Sequence, residues 1–304
     1  MTSKEDESKE NTVIISVVNF NPVWGNKAAN LQKIKAMVTS AAQAGARIIA
    51  FPELALSGYE CGEEARHDKK PCAMHQAAAE TIPGPSTLEV AKLARELGVY
   101  VLLGMPERDE RDPAVRYISV AVVGPEGVLG KYRKIHLAPL PMFIEPVCFK
   151  PGREVPVFET RYGRIGVQIC ADFWVYPELS RMLCLKGARI IFNCCACPVV
   201  PTGSDFIAQV TGCRATENFV YAASASLAGK ERTISYYGLS TVAGRAFPSL
   251  KQVFVQGGDG EEIVSAELSL ERPKPPFDLL SLEKERIRSF QLCCDELKKL
   301  AASR

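Results

Sequence analysis

The 304-residue sequence lacks an excess of charge of either sign and lacks any long hydrophobic run. Its 37 basic and 35 acidic residues leave a formal net charge of +2, which gives no indication of a nucleic-acid-binding surface. No apolar segment approaches the roughly 20 residues of a membrane-spanning helix. The first eleven residues lack the apolar stretch of a secretory signal peptide. We therefore expect no nucleic-acid or membrane partner, a cytoplasmic location and a disordered tail over residues 1–11.

Histidine is also scarce, and this scarcity bears on metal binding. Only three histidines accompany eleven cysteines. Structural zinc sites combine ligand pairs, such as two Cys-x-x-Cys units, and the dense cluster Cys194-Cys195-Ala196-Cys197 has no second pair of that kind. We therefore predict no metal. Several cysteines lie in apolar strand-like runs of a long chain, so reduced thiols are favoured over disulfides.

A local pattern recurs along the chain, in which a helical stretch ends and an apolar, strand-like run follows. Glycine, or asparagine in the last copy, ends the helical stretch at Gly45, Gly98, Gly187 and Asn218. Two hairpin patterns lie between these units, over residues 117–134 and 155–170. The alternation predicts a layered α/β protein with mixed sheets. No linker rich in proline, glycine or serine divides it, so we predict one domain over residues 12–270.

The last part of the chain differs in composition. It begins with Glu271-Arg-Pro-Lys-Pro-Pro276, and a proline run cannot extend a helix. A helical pattern follows over Leu280–Ala302. We therefore predict that residues 271–304 form an extension that departs from the main domain.

Three chemically different residues lie at or just beyond the ends of predicted strands: Glu53, Lys134 and Cys170. Ligand crevices in α/β proteins form at the carboxyl ends of strands, so these side chains can meet. A thiol, a carboxylate and an ammonium supply what thiol-dependent acyl transfer needs. One group attacks, one accepts the proton, and one stabilises the oxyanion.

Each of the three also has a simpler interpretation. An isolated cysteine in an apolar run is usually a small buried hydrophobe, and a glutamate just past an apolar strand, such as Glu53, is usually a solvated loop residue. Lys134 belongs to a short basic stretch that is usually exposed to solvent. Strand alternation nevertheless places Lys134 on the same side as Tyr132, which favours an inward ammonium. His136 shares that side, so a pair formed by Cys170 and His136, without Glu53, is an alternative.

The flanking segments resemble motifs of the nitrilase superfamily of carbon–nitrogen hydrolases, from about residue 13 to about residue 270. They are Phe51-Pro-Glu53, Lys131-Tyr-Arg-Lys134-Ile-His-Leu137 and Gly166-Val-Gln-Ile-Cys170-Ala-Asp172. The resemblance implies a four-layer α-β-β-α sandwich and a cofactor-free Glu–Lys–Cys triad. Cys170 would be the nucleophile, Glu53 the general base and Lys134 the oxyanion partner. It also implies that Glu145 is a helper glutamate that holds Lys134 and steers the substrate.

The residues after Cys170 bear on the substrate class. Nitrilases of the superfamily usually carry Trp-Glu there, whereas amidase-type members carry one residue and then Asp, as Ala171-Asp172 does here. The resemblance therefore implies hydrolysis of a small amide or N-carbamoyl compound through a thioester. Nitrile hydrolysis, acyl transfer to an amine and a non-catalytic scaffold remain alternatives. The interval from Cys170 to Pro177-Glu178 is one residue longer than is usual in the superfamily.

Six residues are predicted to line the substrate pocket: Tyr59, Ala171, Phe173, Trp174, Cys195 and Ala196. The backbone N–H of Ala171 is the expected second oxyanion donor. Members that cleave N-carbamoyl-D-amino acids tend to have arginine where Phe173 and Trp174 stand, so no substrate carboxylate is expected there. The lining indicates a small amide that is uncharged or carries an aromatic group. The alternative for Phe173 and Trp174 is that they pack the following helix.

The helix that follows the nucleophile, predicted over Pro177–Lys186, has apolar residues around much of its circumference. Such a helix is usually buried on more than one side. In the superfamily it packs against its two-fold mate, and C-terminal extensions reach across the partner subunit. We therefore expect a homodimer or a higher homo-oligomer, with residues 271–304 at the subunit interface.

Overall fold

The computed structural model describes residues 11–140, 143–200, 203, 205–244, 253–270 and 279–303. Its strands are β1 (Thr12–Asn19), β2 (Ile48–Ala50), β3 (Tyr100–Arg108), β4 (Arg116–Gly124), β5 (Gly127–Arg133), β6 (Pro139–Leu140), β7 (Phe143–Ile144), β8 (Val157–Thr160), β9 (Gly163–Ile169), β10 (Ile190–Cys195), β11 (Tyr221–Ser226), β12 (Ala228–Lys230), β13 (Ser235–Tyr237), β14 (Thr241–Ala243), β15 (Val253–Gln256) and β16 (Glu262–Ser269). Its helices are α1 (Lys27–Gln43), α2 (Glu63–His67), α3 (Ala73–Ala78), α4 (Pro85–Leu97), α5 (Glu145–Cys148), α6 (Ala171–Trp174), α7 (Pro177–Leu185), α8 (Phe206–Asn218) and α9 (Leu279–Ala302).

Two six-stranded mixed sheets form the middle of the molecule. The first has the order β16-β1-β2-β3-β4-β5, with β1, β2 and β3 parallel. The second has the order β15-β14-β11-β10-β9-β8, with β9, β10 and β11 parallel. The sheets face each other, since β1 contacts β11 while β4 and β5 contact β9. Helices α1 and α4 cover the first sheet and α7 and α8 the second, which confirms the four-layer α-β-β-α sandwich.

The four helix-to-strand units predicted from the sequence are all present. Gly45, Gly98 and Gly187 have positive φ angles of 96°, 67° and 92°, the region that glycine enters without steric cost. The fourth unit differs by one position. There the helix ends at Asn218, and Phe219 takes the left-handed conformation, with φ of 56°. All four helices are therefore followed by a residue with positive φ, and in the last unit that residue is phenylalanine instead of glycine.

The loop that carries Glu53 crosses close over the first sheet. It leaves β2 at Ala50, and a Cβ atom added to Gly104 of β3 would lie 1.9 Å from the carbonyl oxygen of Pro52. The N–H of Leu56 donates to the carbonyl of Gly104 at 3.1 Å, which holds the loop on the strand. Only glycine at position 104 allows this approach, so the backbone of β3 helps to set the position of Glu53.

The C-terminal helix α9 is mostly exposed and lies against α7 and the end of α8, the two helices that cover the second sheet. Arg286 donates to the carbonyl oxygen of Glu217 at 2.8 Å, and its guanidinium lies 5.4 Å from the ring centre of Phe219.

The predicted tail over residues 1–11, apart from Asn11, and the proline-rich start of the extension fall outside the described residues. Among the helices that are described, none combines the length and the apolar character that crossing a bilayer requires.

Candidate active site

Lys134 is the centre of a buried charge cluster. Its side chain is fully buried just beyond β5, and its Nζ lies 2.7 Å from Oε1 of Glu53 and 2.7 Å from Oε1 of Glu145. Burial disfavours the ammonium form, but the charges of Glu145 and Glu53 outweigh it and raise the pKa of Lys134 well above its usual value. The side chain is therefore a permanent, buried positive charge.

Glu145 has hydrogen-bond partners on both carboxylate oxygens. Its Oε1 accepts from Lys134 and from the hydroxyl of Tyr59, and its Oε2 accepts from the N–H of Ala138 at 2.8 Å. It lies at the first position of the single-turn helix α5. The arrangement orients Lys134 and occupies both carboxylate oxygens of Glu145 with protein donors.

Glu53 differs, because one of its oxygens is free. Its Oε2 is buried and has no hydrogen-bond partner among the described residues. Burial raises the pKa of Glu53 well above its usual value; the charge of Lys134 opposes this shift and that of Cys170 adds to it. A buried carboxyl group with an unpaired oxygen and a raised pKa is suited to accept and return a proton near neutrality.

Cys170 occupies a strained turn between β9 and α6. Its φ of 49° and ψ of −107° are rare for a residue other than glycine. The N–H of Cys170 is shared between the carbonyl oxygen of Cys194 (3.2 Å) and Oδ1 of Asn193 (3.0 Å). Its carbonyl accepts from the N–H groups of Phe173 (2.9 Å) and Trp174 (3.0 Å). Strained strand-to-helix turns of this kind present the nucleophile in enzymes of the α/β-hydrolase fold.

The surroundings of the thiol favour its ionised form. A hydrogen bond from Cys197 is the largest influence and lowers the pKa of Cys170 to about 6, against the effect of burial. The positive charge of Lys134 and the N–H of Ala196 act in the same direction as Cys197. The residue as a whole is partly exposed. A low pKa combined with access is the condition under which a cysteine is reactive.

Asp172 is a residue of this site to which the sequence assigned no structural role. It is fully buried, and its carboxylate accepts from the hydroxyl of Tyr132 at 2.7 Å. It also accepts from the backbone N–H groups of the two residues that follow Lys134, at 3.0 and 2.8 Å. Asp172 therefore ties the turn of Cys170 to the segment of Lys134. The only sequence signal was its place two residues after Cys170.

His136, the alternative partner of the thiol, is engaged with other residues. Its Nδ1 lies 2.8 Å from Oδ1 of Asp172, and its ring stacks on Tyr176 with 3.4 Å between ring centres. Tyr176 belongs to the connection between α6 and α7, in the interval that is one residue longer than is usual. Because Asp172 and Tyr176 engage the His136 ring, the structure favours the cluster of Glu53 and Lys134 over a Cys–His pair.

The predicted pocket residues fall into two groups. Trp174 packs edge-on against Phe206 at 5.3 Å, in a cluster that includes Cys170 and Cys197. The N–H of Ala196 acts on the Cys170 thiol, and the hydroxyl of Tyr59 donates to Glu145. Ala171 begins α6, where the first N–H groups have no partner within the helix. By contrast, the remaining two residues, Phe173 and Cys195, are fully buried in the core. For Phe173, packing under the following helices is the interpretation that the structure favours.

The combined geometry is suited to nucleophilic acyl transfer. The pKa of the Cys170 thiol is lowered and that of the Glu53 carboxyl is raised, so a proton moves between them at a smaller cost than between ordinary groups. Lys134 places a fixed positive charge beside both. A charge that is already oriented stabilises a developing oxyanion without reorganisation during the reaction.

Comparison with known proteins gives a consistent result. The carbon–nitrogen hydrolase profile matches residues 14–274. A nitrilase of Pyrococcus abyssi is 33% identical over 281 residues, covering 91% of this chain and 98% of that protein. An omega-amidase of Xenopus tropicalis is 34% identical, covering 84% and 88%. An N-carbamoylputrescine amidase of Solanum tuberosum is 31% identical, covering 88% and 89%.

Solved structures share the same fold. A nitrilase-superfamily protein of Saccharomyces cerevisiae superposes with a TM-score of 0.72 at 24% identity, covering 93% of this chain and 94% of that one. An amidase of Nesterenkonia sp. AN1 superposes with a TM-score of 0.71 at 20% identity, covering 86% and 92%. That amidase was solved as a mutant with the acetamide moiety of fluoroacetamide attached to its active-site cysteine.

Proposed function

The chain belongs to the carbon–nitrogen hydrolase family of the nitrilase superfamily, and we propose that it hydrolyses a small amide or N-carbamoyl compound through a thioester on Cys170. It is a hydrolase of carbon–nitrogen bonds other than peptide bonds. One observation carries the proposal of mechanism. The free Oε2 of Glu53 lies in the same buried cluster as Lys134 and a thiol of lowered pKa.

In the first half of the reaction, Cys170 forms a bond from sulfur to the substrate carbonyl carbon. Its proton passes to Oε2 of Glu53, and the carbonyl electron pair moves onto oxygen. Lys134 and the N–H of Ala171 stabilise the oxyanion. When the tetrahedral intermediate collapses, the carbon–nitrogen bond breaks, and Glu53 returns the proton to the leaving nitrogen. Ammonia or an amine departs and a thioester remains.

In the second half, water replaces the amine. Glu53 takes a proton from the water as its oxygen bonds to the thioester carbon, and Lys134 again stabilises the oxyanion. The carbon–sulfur bond then breaks, Glu53 returns the proton to the sulfur of Cys170, and the acid leaves. Glu145 acts through Lys134 and Tyr59, whose positions it fixes, and it is a positioning residue in this scheme.

The walls around Cys170 support an uncharged substrate. The indole Nε1 of Trp174 is buried and has no hydrogen-bond partner among the described residues, so it is available to a substrate oxygen. Phe206 and Tyr237 pack around the same cluster. The nearby Arg214 is not available to a carboxylate, because it donates to the carbonyl oxygens of Phe173 (3.0 Å) and Trp174 (3.2 Å). We propose a small amide that is neutral or carries an aromatic group.

A mixed substrate library tests this function. The full chain is incubated with amides, N-carbamoyl compounds and nitriles, with and without added amines, and the products are identified by mass spectrometry. Formation of the acid from an amide or N-carbamoyl compound supports the proposal. Acid from nitriles alone indicates a nitrilase, and conjugates with the amine indicate an acyltransferase. No turnover of any compound by the intact triad would favour a non-catalytic scaffold. Cys213→Ala, which changes an exposed cysteine, is the matched active control.

We also propose that the chain forms a homodimer, or a larger assembly built from it, through α7 and α9. Met182 and Leu185 of α7 line a groove with Ile287 and Phe290 of α9. Other large apolar side chains of α9 are also exposed, by 63% at Leu292, 63% at Leu297 and 57% at Leu300. Exposed apolar surface on this scale favours association with a second chain.

Light scattering at low micromolar concentration should give at least twice the chain mass of 33.2 kDa. The double change Leu297→Glu with Leu300→Glu places two charges on the exposed face and should shift the mass toward one chain. A fully active wild-type monomer would contradict the assembly, and it would mean that α9 covers α7 within a single chain.

A further inference from the structure

A second cluster of sulfur and nitrogen ligands lies outside the catalytic residues. Cys61, Cys72, His75 and Cys148 are all buried, with at most 8% of any of them exposed. The ligand atoms of Cys61, Cys72 and His75 lie within 4.8 Å of one another, and Sγ of Cys148 lies 3.8 Å from Sγ of Cys61. We propose that these four side chains form a structural Zn²⁺ site with three thiolate ligands and one imidazole ligand.

Two of the ligand pairs have the spacing expected around a shared tetrahedral ion, and Cys148, which lies outside the mutually close set of Cys61, Cys72 and His75, would complete the site by moving toward that set. Two sulfur ligands, each about 2.3 Å from a tetrahedral Zn²⁺, lie about 3.8 Å apart. The sulfurs of Cys61 and Cys148 are separated by 3.8 Å. A sulfur and an imidazole nitrogen on the same ion lie about 3.6 Å apart, and Sγ of Cys61 is 3.9 Å from Nδ1 of His75. A disulfide would instead bring two sulfurs to about 2.05 Å.

The surrounding hydrogen bonds are those of a metal site. Nε2 of His75 lies 3.1 Å from the carbonyl oxygen of Gly58, so Nε2 carries the proton and the Nδ1 lone pair faces the sulfurs. Backbone N–H groups also donate to sulfur, from Gly62 to Cys72 at 3.3 Å and from Cys72 to Cys148 at 3.3 Å. Such donors stabilise thiolates, and thiolate ligands select zinc over hard cations such as Mg²⁺.

Chain connectivity explains why the sequence did not reveal this site. Cys72 precedes α3 and His75 lies in its first turn, which makes a local Cys-x-x-His pair. The other two ligands lie far apart in the chain, since Cys61 is in the loop before α2 and Cys148 ends α5. The prediction of no metal considered the Cys194–Cys197 segment and required a second local pair. Here the fold supplies the remaining ligands.

The site joins two segments that reach the catalytic cluster. Cys61 follows Tyr59 by two residues, and Cys148 shares the single turn of α5 with Glu145. The Tyr59 hydroxyl donates to Glu145, which in turn holds Lys134. A metal bound by Cys61 and Cys148 would therefore fix the loop and the turn that position Lys134. This structural role does not depend on which compound the enzyme hydrolyses.

Metal analysis of the full chain tests the site directly. Protein produced in zinc-supplemented medium and purified without an affinity metal should contain about one zinc per chain. The control Cys213→Ser, at an exposed cysteine of α8, should contain the same amount. The double variant Cys61→Ser with Cys148→Ser should contain less than about 0.1 zinc per chain, because two of four ligands are lost.

A measurement on the wild-type chain keeps the test decisive if the double variant fails to fold. X-ray absorption at the zinc edge should show three sulfurs at about 2.3 Å and one nitrogen at about 2.0–2.1 Å. Wild-type protein without zinc, or zinc with no sulfur neighbours, would overturn the proposal. So would peptide mapping, done without reductant, that finds a disulfide between Cys61 and Cys148.

Discussion

Replacing Cys170 by alanine is expected to leave less than about 1% of the wild-type turnover, because removing a nucleophile usually costs several orders of magnitude in rate. The fold should be unaffected, since the side chain is small and partly exposed. The test is kcat on a substrate found in the library, together with the thermal midpoint of unfolding. Cys213→Ala should match the wild type in both. Retention of more than about 1% by a folded Cys170→Ala protein would exclude the thioester mechanism.

Alkylation gives a second measure of the same thiol. Iodoacetamide reacts with the thiolate, so its rate at Cys170 should rise with pH and level off above the pKa of about 6. An ordinary cysteine, with a pKa near about 8.5, would still be gaining reactivity at pH 8. Peptide mapping should therefore find Cys170 labelled first at pH 6.5. Equal labelling of the exposed Cys213, Cys293 and Cys294 at that pH would show that the thiol is not activated.

The fold was largely predictable because its signals are local. Each helical stretch ends at a glycine or an asparagine, and the strand that follows is rich in apolar residues because almost all of its positions are buried. The hairpins at residues 117–134 and 155–170 were predicted correctly for the same reason. Which strand neighbours which was not readable from these local patterns. The pairing of β1 with β16, for example, joins the two ends of the domain.

The candidate site was predictable only where a motif marked it. Glu53, Lys134 and Glu145, which the motifs single out, lie in one buried cluster. The roles of Tyr59 and Asp172 depend on hydrogen bonds between distant segments, which sequence spacing does not encode. The sequence predicts Tyr59 only as part of the pocket wall, whereas its hydroxyl donates to Glu145 in the structure. The sequence also did not predict that His75 and Cys148 lie beside Cys61, because these residues come from separate segments.

Changes at Lys134 should have the second of the two largest effects. Lys134→Ala removes the oxyanion partner and also leaves the carboxylates of Glu53 and Glu145 buried without a cation. Breaking a buried ion pair in this way costs about 3–5 kcal/mol of unfolding free energy. Turnover should be almost absent, and urea unfolding should show the loss of stability. Lys131→Ala is the matched control, because Arg133 remains to pair with Glu107 when Lys131 is removed.

Lys134→Arg separates charge from shape. The guanidinium keeps the positive charge, so more of the stability should survive than in Lys134→Ala. Its planar, longer group cannot place a compact ammonium between two carboxylate oxygens that each lie 2.7 Å from Nζ, so turnover should stay nearly absent. His136→Ala should retain more activity than either lysine variant, because His136 bonds to Asp172 and not to the thiol. If Lys134→Arg were tolerated and His136→Ala were the more damaging change, a Cys–His pair would replace the mechanism proposed for Cys170 and Glu53.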